Sequence, residues 1–210
     1  MRSTNTTVYF LPFFVACPLA AQEYARHNIT FGAGGGVPQG TLSSYMKSSP
    51  SITLDYGYRF HKYFQADLGL DITFGAAQVR DFLTTDIGYV RVKDREYFLP
   101  FGGRAIWPVA DGRVLLSVGG GGIWIKYNTR VSQPSYYYRV DCPICSERTG
   151  LGYYGLLNAT YFLDYAKHFR VGVTSRMIRG HTDGSQVGDI PGIRTSDHWV
   201  NVFGEVGFSF

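Results

Sequence analysis

The sequence has almost no cysteine, no long internal apolar run and no stretch with the spacing of an amphipathic helix. Three cysteines in 210 residues cannot supply a four-ligand zinc centre, because the one close pair, Cys142 and Cys145, lacks its other two ligands. The missing helical pattern also removes the βαβ setting in which a CxxC acts as a redox motif. Without an internal segment of about 20 apolar residues, no helix in the body of the chain is built to cross a membrane. Nucleotide motifs are absent too. The glycine clusters "GAGGGV" at 32–37 and "GGGG" at 119–122 stop short of GxGxxG or a Walker pattern, since Val37 and Trp124 stand where the last glycine belongs. The formal charge is only +4, with no basic run, so nucleic acid is not an expected partner.

What is present begins at the N-terminus. Arg2 is followed by "TTVYFLPFFVACPLAAQ", an apolar, proline-broken stretch ending in small residues. It reads as a secretory signal peptide over 1–21 with cleavage after Ala21. Cleavage removes Cys17 and Arg2, lowering the charge from +4 to +3. The remaining pair, Cys142 and Cys145 in "DCPICSE", is expected to close a small disulfide in an exported protein. A redox pair is the sharper alternative.

From Gln22 onward the dominant signal is alternation. In "SITLDYGYRFHKYFQADLGLDITFG", residues 51–75, Ile52, Leu54, Tyr56, Tyr58 and Phe60 share one face. Thr53, Asp55, Gly57 and Arg59 share the other, as strand geometry requires. After His61, Lys62 and Tyr63 the pattern resumes through Phe74. The same period appears in eight segments, near 28–37, 51–60, 64–75, 96–109, 114–127, 150–163, 168–178 and 198–210. Most are long enough for a tilted strand to cross a bilayer. Three connections are short (61–63, 110–113 and 164–167) and four are long (38–50, 76–95, 128–149 and 179–197). Up-and-down order puts all the long ones at one end.

The faces decide which medium each meets. Asp55, Arg59, Asp67, Asp71, Arg104, Asn158, Thr160, Arg170, Thr174, Arg176, Asn201 and Glu205 make a polar face with many glycines and almost no lysine. A solvated surface would carry more Lys and Glu. Opposed Asp and Arg suit the narrow lumen of an eight-stranded barrel. Asp55, Asp67, Asp71 and Glu205 balance Arg59, Arg104, Arg170 and Arg176, so a cross-barrel salt-bridge network is expected, because buried charges must be paired or hydrated. It would act as a polar plug; a gated ion path is the functional alternative. The other face, such as Tyr97, Leu99, Phe101, Ala105, Trp107 and Val109, or Tyr153, Leu157, Ala159, Tyr161 and Leu163, is continuous and apolar. Its aromatics gather near the strand ends, as in a lipid-facing band with interfacial girdles. Pro100 predicts an irregular or bulged point in the fourth strand. Strand glycines predict curvature or room for a large neighbour.

The last strand, "HWVNVFGEVGFSF", ends on Phe208 and Phe210 with Val200, Val202 and Val206 on the same face. It resembles the terminal strand by which bacterial outer-membrane proteins engage the barrel-assembly machinery. It departs from that pattern where Glu205 replaces a frequent glycine. With the signal and the strands, residues 22–210 resemble the small outer-membrane barrels of the OmpA/OmpX type. The resemblance implies an all-β, eight-stranded antiparallel up-and-down transmembrane β-barrel in the bacterial outer membrane. It also implies contact with lipid and lipopolysaccharide, no cofactor, and a structural or surface-interaction role instead of catalysis.

Two alternatives come from other classes. Enzymatic relatives on this fold modify lipid A at the outer leaflet, and Ser175, His181 and His198 lie near the strands such a site would use, without a motif joining them. A soluble lipocalin-like carrier would reverse the faces; "GIW" at 122–124 resembles its GxW but sits in the fifth strand. If the loops meet a partner, the 128–149 loop is the richest candidate, with Tyr136, Tyr137 and Tyr138. Its arginines, with Arg80, Arg91, Lys93 and Arg95, could meet lipopolysaccharide phosphates. The alternative is that these tyrosines extend the girdle and the charges are solvated.

Overall fold

A computed structural model describes residues 24–44, 46–75, 82–85, 88–131, 147–184 and 194–210. The signal peptide expected over 1–21 lies outside the described residues, as do Cys142, Cys145, Tyr136, Tyr137 and Tyr138. The strands are β1 (His27–Pro38), β2 (Ser49–His61), β3 (Phe64–Phe74), β4 (Phe82–Thr85), β5 (Gly88–Val109), β6 (Val114–Val131), β7 (Glu147–Phe162), β8 (Phe169–Gly184) and β9 (Arg194–Ser209). All pairings are antiparallel.

Eight of these strands form a closed ring. Sequential neighbours pair, and the circle is completed by β1 with β9, from Asn28↔Ser209 to Pro38↔Trp199, and by β3 with β5, from Phe64↔Ala105 to Phe74↔Arg95. Closure leaves no free edge in the wall. The short β4 pairs only with the start of β5, as a hairpin arm at the long-loop end.

The three short connections turn tightly. Between β5 and β6, Ala110, Asp111 and Gly112 take φ of 50°, 56° and 75°, the left-handed backbone that matches a hairpin to strand twist. Between β7 and β8, Lys167 has φ 59°. There Asp164 accepts hydrogen bonds from the backbone N–H of His168 at 3.0 Å and Phe169 at 2.7 Å. The β2–β3 ladder shifts register between Arg59 and His61. At Pro100, by contrast, the flanking pairs Leu68↔Phe101 and Asp71↔Phe98 keep one offset. The irregularity expected there is an interrupted ladder and not a bulge, since no residue is inserted.

Several strands outrun their sequence-based limits at the long-loop end. β5 begins at Gly88 instead of 96, β6 runs to Val131, β8 to Gly184, and β9 begins at Arg194. Segments such as "ERT" and "RTSD" have no apolar alternation; the ladder to neighbouring strands holds them, which a period-two pattern cannot reveal. The first long loop also differs from a simple projection. It holds a 3₁₀ turn, Gly40–Ser44, and buries Leu42 and Met46 (4% and 8% exposed) with the barrel's interior side chains.

Burial alternates along the wall. Leu54, Phe101, Trp107, Leu157, Tyr161, Val173 and Val206 are exposed outward, while Thr53, Asp55, Asn158, Thr160, Thr174, Arg176 and Asn201 are buried within. Tyr58, Phe60, Tyr63, Phe64, Trp107, Tyr165, Phe169 and Phe210 crowd the short-turn end of the outer surface. No described helix is long and apolar enough to cross a membrane, which says nothing about strands.

The glycine clusters serve packing. A Cβ on Gly119 would sit 2.7 Å from Cβ of Arg104, and one on Gly122 would strike the Phe101 ring at 2.4 Å. Gly119 therefore leaves room for a lumen arginine, and Gly122 is covered by an aromatic from the next strand.

Candidate functional site

Among the described residues, the lumen gathers buried charges from several strands. Arg176 on β8 reaches across it. Its Nη1 donates to both carboxylate oxygens of Asp71 on β3, and its Nη2 lies 3.1 Å from Asp55 Oδ2 on β2. Thr53 Oγ1 donates to Asp71 at 2.7 Å, and the Tyr154 ring lies 5.5 Å from the guanidinium carbon. These side chains come from strands far apart in sequence, so only ring closure assembles them. Nearer the short turns, Arg104 Nε meets Asp67 Oδ2 at 2.6 Å. Gln65 donates to the other oxygen of Asp67 at 2.7 Å and accepts from Asn28 at 3.1 Å.

Of the eight charges read as one network, five are joined in ion pairs among the described residues. Arg170 donates to Thr30 Oγ1 at 2.6 Å and forms no ion pair among the described residues. Glu205 accepts from Asn158 at 3.4 Å through Oε2, while its Oε1 is buried without a partner. Arg59 lies at the short-turn mouth, its Nε donating to the Lys62 carbonyl at 3.2 Å and its guanidinium carbon 4.8 Å from the Tyr24 ring centroid. Neutral hydrogen bonds thus carry part of the satisfaction that opposite charges were expected to supply.

The larger departure is an apolar plug. Phe98, Ile123, Ile125, Tyr127, Tyr154, Leu156, Ile178 and Trp199 point inward and pack with Leu42 and Met46. Trp199 Nε1 donates to Tyr127 Oη at 2.9 Å, and Phe98 meets the Trp199 ring edge-on at 5.9 Å. A smaller cluster of Ile106, Leu115 and Phe162 packs nearer the short turns. Sequence reasoning missed this because β5 and β6 are apolar on both faces, as in "AIWPV" and "GIWIKY", so alternation does not mark which apolar side chains turn inward. Beside the plug, Asp197 accepts from Thr182 at 2.7 Å and Thr195 at 3.0 Å. Glu96 is buried with neither carboxylate oxygen hydrogen-bonded.

The remaining candidates are spread over the wall. Phe208 and Phe210 are exposed on the outer face, with Phe208 5.0 Å from the Phe169 ring and Phe210 stacked 5.4 Å from His27. Ser175 lies opposite Val202, four residues from His198 and six from His181. At roughly 3.3 Å per residue those separations exclude a hydrogen-bonded Ser–His pair with Ser175. Among the described residues no group of three or more His, Cys, Asp or Glu is placed to hold a metal ion.

No family model and no curated protein matches the chain. Solved structures do. Neisserial surface protein A aligns with a TM-score of 0.54 and 11% identity over 88% of this chain and 97% of its own. OprG of Pseudomonas aeruginosa, an outer-membrane protein, gives 0.55 and 10% over 89% and 97%. Ail, the attachment invasion locus protein of Yersinia pestis, gives 0.52 and 11% over 89% and 98%. Identities this low speak to architecture alone. With its ring of eight antiparallel strands, apolar outer wall and filled interior, the chain has the fold of the small outer-membrane β-barrels of the OmpA/OmpX type.

Proposed function

We propose that this chain resides in the bacterial outer membrane as a non-enzymatic barrel with a structural or surface-interaction role, its lumen closed to solutes. The observation that carries this reading is the double obstruction of the interior. The Arg176–Asp71–Asp55 cluster spans the lumen, and the Trp199–Tyr127–Phe98 plug packs within it. An eight-stranded ring has an interior that side chains just fill, so occlusion comes at no cost in architecture.

The remaining parts of the reading rest on sequence. Residues 1–21 act as the export signal, Cys142 and Cys145 close a disulfide, and β9 with Phe208 and Phe210 engages the assembly machinery. The outer wall meets lipid and lipopolysaccharide. Any surface partner docks on the 128–149 loop through Tyr136, Tyr137 and Tyr138; Tyr→Ser at all three should then abolish adhesion, and unchanged adhesion would remove that role.

Closure is tested by planar-bilayer recording of the purified protein. The reading expects no sustained open level. A stable conducting state in the wild type would replace the structural role by a transport one.

A further inference from the structure

Glu96 is a buried acid that neither the salt-bridged lumen nor the hydrogen bonds of the plug employ. It stands on β5, its Cα opposite Thr73 of β3 and Tyr127 of β6, and faces inward like Phe98 two residues on. It is 0% exposed, and neither carboxylate oxygen has a hydrogen-bond partner among the described residues. The charged and titratable groups around it are occupied elsewhere. On its own strand Asp94 adds a like charge. On β6, Tyr127 Oη takes the Trp199 hydrogen bond. On β7, Arg148 is the opposing charge, yet its guanidinium carbon stands 4.6 Å over the Tyr127 ring and its Nη1 donates to Thr195 at 2.9 Å. On β9, Asp197 is held by Thr182 and Thr195, and on β3, Asp71 is held by Arg176.

We propose that Glu96 is a proton-operated latch on the first long loop. An unpaired carboxylate shut away from water is far costlier than the neutral acid, so the closed plug holds Glu96 in its protonated form. Closure itself builds the lid: Phe98, Tyr127 and Trp199 pack with Leu42 and Met46 of the first loop. Losing the proton to water leaves a charge that the closed packing can neither pair nor hydrate. Entering water relieves that carboxylate, as does Arg148 when it leaves the Tyr127 ring. Both routes disturb the side chains on which Leu42 and Met46 rest.

The direction follows from the proton count. Closing takes up one proton, so the closed plug is favoured at low pH and loses ground as pH rises, by at most about tenfold in the closed-to-open ratio per pH unit. The Arg176–Asp71–Asp55 cluster spans the lumen independently of the plug. Lifting the cap therefore presents the 38–50 loop to the aqueous side without opening a pore. The latch regulates a surface, whichever partner that surface meets.

Lys47 is the one lysine or arginine in the 38–50 loop, so tryptic cleavage after it reads the state of the latch. The full chain in detergent micelles is digested from about pH 6 to about pH 10, across the range to which burial moves carboxyls. Each rate is divided by that of Glu96→Gln in the same buffer, which cancels the protease's own pH dependence. The wild-type ratio should stay within about twofold of unity in acid and rise by about tenfold or more in alkali. Glu96→Leu should remain as slow as Glu96→Gln, and Asp197→Asn should keep the wild-type rise. Infrared difference spectra should show a protonated carboxyl in the wild type at low pH that disappears at high pH and is absent from Glu96→Gln. A ratio flat across the pH range would overturn the latch, as would a rise shared by Glu96→Leu, a rise lost in Asp197→Asn, or a wild type without the carboxyl band.

Discussion

Arg176 and Asp71 form an ion pair between strands that stand diametrically opposite in the ring: β8 and β3 are four strands apart in either direction. The pair is a strut across the full width of the lumen, and its side chains are 2% and 0% exposed. Arg176→Met leaves Asp71 and Asp55 buried without their counter-ion, which costs about 3–5 kcal/mol. Urea unfolding in lipid vesicles should show that loss. Adding Asp71→Asn and Asp55→Asn to Arg176→Met should recover part of it, because neutral amides need no cation; a triple variant no better than the single one would deny the pairing.

Trp199 separates packing from hydrogen bonding within the plug. Trp199→Phe keeps most of the ring but removes the donor to Tyr127, costing about 1 kcal/mol. Trp199→Ala empties a fully buried site and costs about 3–5 kcal/mol. Because the Arg176–Asp71–Asp55 cluster still spans the lumen, the alanine variant should admit small solutes in liposome-swelling assays only when combined with Arg176→Ala.

Leu42 and Met46 tie the first long loop to the same cluster. Leu42→Ala with Met46→Ala should raise proteolysis in the 38–50 segment of intact barrels while the strands stay resistant. Stability should fall by about 2–5 kcal/mol at most per site. Unchanged cleavage would mean that the loop is held by other contacts.

Two glycines with opposite surroundings give a paired test. A Cβ on Gly121 would lie 2.2 Å from the Phe101 carbonyl oxygen, backbone that cannot swing aside, whereas one on Gly155 meets nothing within 4 Å. Gly121→Ala should cost more than 1 kcal/mol, and Gly155→Ala should be neutral or slightly stabilising. Unfolding midpoints of the two variants decide it.

The strands, their up-and-down order and the lumen position of the charges were legible because strand geometry turns composition into direction. Asp55, Asp67, Asp71, Arg104 and Arg176 alternate with apolar neighbours, and that suffices to aim them inward. Which carboxylate meets which arginine was not legible, since the partners are set by ring closure and the β1–β9 register. Arg170, for instance, bonds Thr30 instead of an acid. The plug was hidden for a different reason. Phe98, Ile123 and Trp199 have apolar residues on both faces of their strands, and Leu42 and Met46 enter from a loop with no period to read.

The central claim is that the chain closes into a barrel whose apolar face meets lipid and whose polar face is sealed inside. Its most direct test is electrophoresis in SDS of protein extracted from the outer-membrane fraction, run with and without boiling. The account predicts a heat-dependent shift, because the closed ring survives the detergent until heated. Protein recovered from the soluble periplasm and showing no shift would contradict it, and would make the aromatic surface an interior.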